Sequence, residues 1–173
     1  MNPIVHGQIG WLAAQGLETR RDRTLIVLAG LAPDVDGLTL LAGYDAYETY
    51  HHVIFHGYVG ALITAAICVA FARQKLAVGL LALLSFHLHL ICDLMGSGPA
   101  WPILYFWPTS KTAYGWSGGW ELASWQNGVI GLFTSLACLA CALRWRRTVV
   151  EVFSTTMDGH VVTTLRRRFL REP

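Results

Sequence analysis

The residues able to do chemistry are histidines and aspartates set in apolar sequence. Ser85 to Asp93 reads SFHLHLICD and lies inside the apolar run from Leu76 to Met95. His89 and Asp93 are four apart, so on a helix they share a face, one turn apart. Polar groups in such a segment are costly unless they are paired, hydrated or bound to a metal. His87 is two residues from His89 and faces the other way. Upstream, LAPDVDG places Asp34 and Asp36 beside Pro33 in the middle of another apolar run. On a regular helix the two carboxylates point apart. A break at the proline, which lacks the amide donor, would aim both at one place. HHVIFHG supplies His51, His52 and His56 at the mouth of a third run, and His6 stands near the chain start. A set made only of imidazole and carboxylate suits Zn²⁺ first, with Mn²⁺ as the second choice. More than four candidates suggests one or two ions per chain. Water activated on such an ion attacks a phosphoryl or carbonyl centre, with Asp34 or Asp36 as base. No GxSxG nucleophile motif competes.

The elements that must position these groups are membrane helices. The chain has 173 residues, 54% of them hydrophobic and only 14% charged. Its mean hydropathy is +0.43. Soluble domains carry roughly 25% charged residues, so an integral membrane protein is expected. The expected fold is an all-α polytopic helical bundle. It has four full spans, Thr24 to Tyr44, Tyr58 to Ala72, Leu76 to Met95 and Gly128 to Leu143, plus a short N-terminal membrane helix, Pro3 to Leu17. Asp45 to Tyr50 reads as a polar loop. Gly96 to Asn127 reads as an interfacial loop rich in Trp and Tyr, able to cover a site; Glu121 is its only acid. In the tail, β-branched runs flank Asp158-Gly159, which predicts a small β-hairpin or an amphipathic surface segment. The division is a membrane-embedded metal-site domain over 1–147 and a basic tail over 148–173.

The basic residues fall in clusters between the apolar runs: Arg20 to Arg23, Arg73 to Lys75, Arg144 to Arg147 and Arg166 to Arg168. No nucleic-acid-binding motif accompanies them. Placing the first three clusters in the cytoplasm satisfies the positive-inside rule with one alternating topology. The candidate histidines and aspartates then gather toward the outer side, and the tail is cytoplasmic. Cys68, Cys92, Cys138 and Cys141 all lie in apolar runs and read as small buried hydrophobes.

In their order, His6, LAPDVD, HHVIFHG, HLICDLMGSG and WPILYFWP resemble the YdjM-like inner-membrane metal-dependent hydrolases. That family looks distantly similar to zinc-dependent phospholipase C, whose metal centre also uses HxxxD on a helix. The resemblance implies His6, Asp34, Asp36, His51, His56, His89 and Asp93 as metal-site residues. The family usually carries HRGxTHS where this chain has His51 to Gly57. His52 replaces the Arg and Gly57 the Ser, so any role of that Arg in holding an anionic group passes to His52. The expected activity is hydrolysis of a phosphoester in a membrane lipid or lipid-linked substrate. The alternatives are a lipid amidase using the same site, or a non-enzymatic metal-binding or transport protein.

Overall fold

The computed structural model describes residues 1–99 and 101–171. Its named elements are helical, and the one β-bridge among the described residues pairs Ile103 with Tyr114. Helix α1 (Pro3–Ala13) starts with Asn2 as its cap, the Asn2 side chain accepting from Ile4 N. Helix α2 (Arg20–Leu31) is capped by Thr19 and runs directly into a 3-10 segment, Ala32–Ala42. Pro33 at the head of that segment cannot donate to the helical ladder, and the change of winding falls there. Short helix α3 (Tyr44–Tyr50) follows, where a loop was expected; Gly43, at φ 112°, makes the turn into it. Then come α4 (Tyr58–Phe71), α5 (Lys75–Gly96), α6 (Trp125–Trp145) and α7 (Thr155–Leu170).

Three helical stretches are long and apolar enough to cross a membrane: Arg20–Ala42, Lys75–Gly96 and Trp125–Trp145. The fourth expected span is corrected. Helix α4 has 14 residues, a rise of about 21 Å at 1.5 Å per residue, which falls short of the ~30 Å hydrocarbon core. The tail is also corrected. It forms helix α7 and no hairpin. Asp158 lies in the first turn of that helix, where the helix dipole favours an acid. Its carboxylate accepts from Thr148 N at 2.7 Å and Thr148 Oγ1 at 2.6 Å. Those two bonds, with Ser154 as cap accepting from Met157 N, outweigh the local turn preference of Asp-Gly.

Helix α1 packs along α2, α2 lies against α5, and α5 pairs with α4. The close approach of α1, α2 and α5 depends on small residues, as is usual between membrane helices. A Cβ at Gly30 would come within 2.6 Å of Ser85 Oγ, and one at Gly10 within 2.9 Å of the same atom. Ser85 itself donates to Ile26 O at 3.1 Å.

One end of the bundle is tied by charges. The Arg23 guanidinium makes a two-point contact with the buried Glu151 carboxylate, at 2.7 and 2.6 Å. Trp11 Nε1 donates to Glu151 Oε1 at 2.9 Å. Asp22 accepts from the amides of Arg73 and Gln74 at 2.9 and 3.0 Å. Arg147 reaches Gln15 O at 2.7 Å. The three basic clusters between the apolar runs therefore lie together, and the 3-10 turn Val149–Val152 is pinned beneath them.

Candidate metal centre

The opposite end of α2 and α5 carries the histidines and aspartates. On α5, His89 and Asp93 share a face, with His89 Nε2 at 2.9 Å from Asp93 Oδ2. The other ring nitrogen, His89 Nδ1, donates to Gly30 O at 2.7 Å. That bond fixes the tautomer and leaves the Nε2 lone pair facing the carboxylate. Two acceptors at that distance need a shared cation between them, a proton or a metal ion.

His56 repeats the pattern. Its Nδ1 contacts Asp36 Oδ2 at 2.8 Å, and its Nε2 stands 3.5 Å from Asp93 Oδ2. His51 Nδ1 contacts the other Asp36 oxygen, Oδ1, at 2.7 Å. Phe55 N also donates to Asp36 Oδ2, at 3.3 Å. Asp36 thus grips the outer edges of two imidazoles, the arrangement by which carboxylates orient metal-ligating histidines. Asp34, two residues away on the 3-10 segment, instead places Oδ1 at 3.6 Å from His89 Nε2. Its Oδ2 has no hydrogen-bond partner among the described residues.

His6 comes from α1. Its ring stacks on His89 with centroids 3.7 Å apart, and its Nε2 lies 3.2 Å from Asp93 Oδ1. Neither nitrogen of its buried ring has a hydrogen-bond partner among the described residues. His52 approaches from the far side. Its backbone is left-handed, at φ 67°, a conformation that costs a non-glycine residue about 1–3 kcal/mol and clusters at functional sites. Its Nδ1 donates to Trp101 O at 3.3 Å, and Nε2 points toward Asp93 Oδ2 at 3.8 Å. Burial, and next the charge of His56, lower its pKa to about 3, so the ring is neutral.

Donor atoms of Asp34, His56, His89 and Asp93 lie within 4.8 Å of one another, and those of His51, His52 and His56 form a second such group. This His/Asp cluster can hold a metal ion. Orphaned, buried imidazole nitrogens converging on a carboxylate fit a divalent cation with nitrogen and oxygen ligands. His56 belongs to both groups, and one Nε2 serves one ion, so two ions would divide the remaining donors between them. The Met1 α-ammonium also contacts Asp93 Oδ1, and it donates to Ser97 Oγ at 2.7 Å.

All eight residues singled out in the sequence meet at this end of the bundle: His6, Asp34, Asp36, His51, His52, His56, His89 and Asp93. His87 does not join them; it bonds Leu83 O at 2.7 Å and the Tyr105 hydroxyl at 2.8 Å. The sequence did not single out Ser97, Tyr47 or the carbonyls of Gly30 and Trp101. A carbonyl leaves no mark in residue type, and Ser97 is legible only through its i+4 spacing from Asp93. A cavity of about 460 Å³ opens over the cluster, lined by Asp34, His51, His52 and Asp93 and walled by Tyr47, Ser97, Trp101 and Glu121.

The family described as YdjM inner membrane protein matches residues 1–163. The chain belongs to that family. The family match covers the Trp-rich loop and most of α7, beyond the stretch of motifs read from the sequence. No curated protein and no solved structure matches the chain.

Proposed function

We propose that the chain is a membrane-bound, metal-dependent hydrolase that cleaves a phosphoester of a lipid or lipid-linked substrate. The observation that carries this reading is the convergence of the orphaned Nε2 atoms of His6, His56 and His89 on Asp93. A divalent ion such as Zn²⁺ would supply Lewis-acid activation of water and of the phosphoryl oxygen. His6, Asp34, His56, His89 and Asp93 would hold it, with His51 and His52 available to a second. Asp36 orients His51 and His56, since both its oxygens are already engaged. Asp34 lines the cavity and would take a proton from water.

A lipid substrate fits the rim. Val35, Leu38 and Leu41 are exposed and recur every third residue along the 3-10 segment, which puts them on one face. Leu122 is exposed and lines the mouth of the cavity. The basic clusters at the other end support a site toward the periplasmic leaflet, by the positive-inside rule. A transport role would want polar groups along a whole path, yet the polar groups of the basic end are consumed in the Arg23–Glu151 and Asp22 contacts.

The deciding measurement is metal content by elemental analysis of protein purified in detergent. One or two equivalents of Zn or Mn in the wild type, lost in His89→Ala and kept in His87→Ala, is the expected result. Hydrolysis of phospholipid vesicles by the loaded wild type, and none by His89→Ala, would follow. An absence of metal in the wild type even after reconstitution would overturn the hydrolase reading.

A further inference from the structure

Helix α7 carries an apolar face that the rest of the protein covers only in part. Two ties fix where the helix runs. Asp158, in its first turn, is held by Thr148, three residues beyond the end of α6. Farther along, the Arg166 guanidinium donates to Leu143 O, inside the last turn of α6. The last carbonyls of a helix lack partners within it, and the guanidinium supplies one here. Between the two ties α7 turns back along α6, one of the stretches long and apolar enough to cross a membrane. The C-terminal end of α7 therefore stands at the level of the last turn of a spanning helix. Trp145 is half-exposed in that turn, and tryptophan favours the headgroup region. Val162, Leu165 and Phe169, spaced i, i+3 and i+7, share one face of α7. Val162 is buried, Leu165 half-buried and Phe169 56% exposed, so the face that packs on the protein continues past it. At about 100° per residue, Arg168 falls on the flank of that face and Arg167 opposite it. Both are exposed, and neither has a hydrogen-bond or ion-pair partner among the described residues. Arg144, beside Trp145 on α6, is exposed as well.

We infer that the C-terminal end of α7 docks on the bilayer leaflet at the basic end of the bundle, with Phe169 at the acyl-chain boundary and Arg168, Arg167 and Arg144 facing anionic phospholipid headgroups. Position and charge together name the occupant. An apolar side chain beside the last turn of a spanning helix meets lipid there. The arginines ask for negative charge, and each basic group held near an anionic surface favours the contact by several-fold. Their apolar stems can lie on the hydrocarbon boundary while the guanidinium stays among the phosphates. Even Arg167, across the helix, lies within about a Debye length of that surface. The acids of the same end do not neutralise these arginines: Asp158 is taken up by Thr148, and Glu151 by Arg23 and Trp11. The inference is independent of the metal centre, which lies at the opposite end, and of whatever that centre hydrolyses.

The test reads depth and charge separately on the full-length chain. A nitroxide is attached at Phe169→Cys, or at Thr164→Cys on the other side of α7, each in a chain carrying Cys92→Ala and Cys138→Ala. In nanodiscs containing phosphatidylglycerol, the label at 169 should collide with oxygen more than with a water-soluble nickel chelate, and the label at 164 should do the reverse. Lipid retained in detergent is then counted by native mass spectrometry. The wild type should hold phosphatidylglycerol at least about tenfold more tightly than phosphatidylcholine of identical acyl chains, and less so as salt rises. Arg167→Gln combined with Arg168→Gln should cut that ratio about tenfold. Arg167→Lys combined with Arg168→Lys should keep it, which separates lost charge from lost folding. Equal retention of the two lipids by the wild type would overturn the proposal, as would a ratio unchanged in the glutamine variant. A label at 169 open to the nickel chelate in anionic nanodiscs would overturn it too, and would leave this face to a soluble protein partner.

Discussion

At the scale of single residues, candidates were legible and roles were not. His and Asp in apolar sequence stand out because burial without partners is expensive, and that cost, with the topology and the family resemblance, gathered His6, Asp36, His56 and Asp93. The sequence could not say which ring nitrogen of His56 faces inward, because Asp36 Oδ2 makes that choice across 20 residues of chain. Asp36 and Asp34 look equivalent in LAPDVD, yet one grips two imidazole edges and the other faces His89. Asp36→Asn should therefore weaken metal binding about 10- to 100-fold, the usual loss when an orienting partner is removed, and His6→Ala, which removes a nitrogen proposed to bind the ion, should weaken it as well. Competition with a chelator of known affinity checks both. His56 gives a second prediction. Burial pulls its pKa down, but contacts with Asp36 and Asp93 outweigh that and raise it to about 9. At neutral pH without metal the ring carries a second proton, and metal ligation must displace it. Affinity should rise about tenfold per pH unit between pH 6 and 8. A flat titration over that range would show that no proton leaves His56.

Among the elements, the long apolar runs were legible, and the errors came where distant contacts decide. Helices α5 and α6 follow their hydropathy closely. Helix α7 does not follow its local turn signal, because Asp158 is fixed by Thr148 from the preceding segment. Helix α3 holds the polar Asp45 to Tyr50 stretch, and none of its residues is buried; it packs against the 3-10 segment. The contact between α2 and α5 offers the sharpest element-level test. Gly30 carries the carbonyl that fixes His89, and its Cα faces Ser85 Oγ. Gly30→Ala would push α2 from α5, with the new Cβ also 3.2 Å from His6 O. Small-to-large changes in tight packing cost about 1–3 kcal/mol. The expected outcome is a lower melting temperature together with lower metal occupancy, whereas Gly128→Ala, with open space around it, should change neither. At the other end, Glu151→Ala leaves Arg23 buried without its counter-charge, which costs about 3–5 kcal/mol. That variant should melt earlier yet still bind metal in the cold, because the latch and the cluster lie at opposite ends of the bundle. Thermal unfolding in detergent, followed beside metal content, separates the two effects.

For the molecule as a whole, the charge distribution is what turns a bundle into an oriented one. The contacts of Arg23 and Arg147 and of the Arg73–Gln74 amides draw three basic clusters to a single end. The His/Asp cluster and the Trp-rich loop occupy the other. Helix α4, though short for a span, returns the chain from the cluster to the basic turn, so α2 and α5 both point from the basic end toward the site. The positive-inside rule then predicts that the site meets the outer leaflet and that α7 lies in the cytoplasm. The native cysteines lie in helices α4, α5 and α6, so a new surface cysteine reports over a low background. Thr112 is exposed in the Trp-rich loop and Thr156 on α7. Thr112→Cys should react with a membrane-impermeant maleimide in intact cells, and Thr156→Cys only after the membrane is opened. The reverse pattern would place the cavity against the cytoplasmic leaflet. The positive-inside reading would then fail. The metal predictions would survive unchanged, since they depend on the cluster and not on which leaflet it faces.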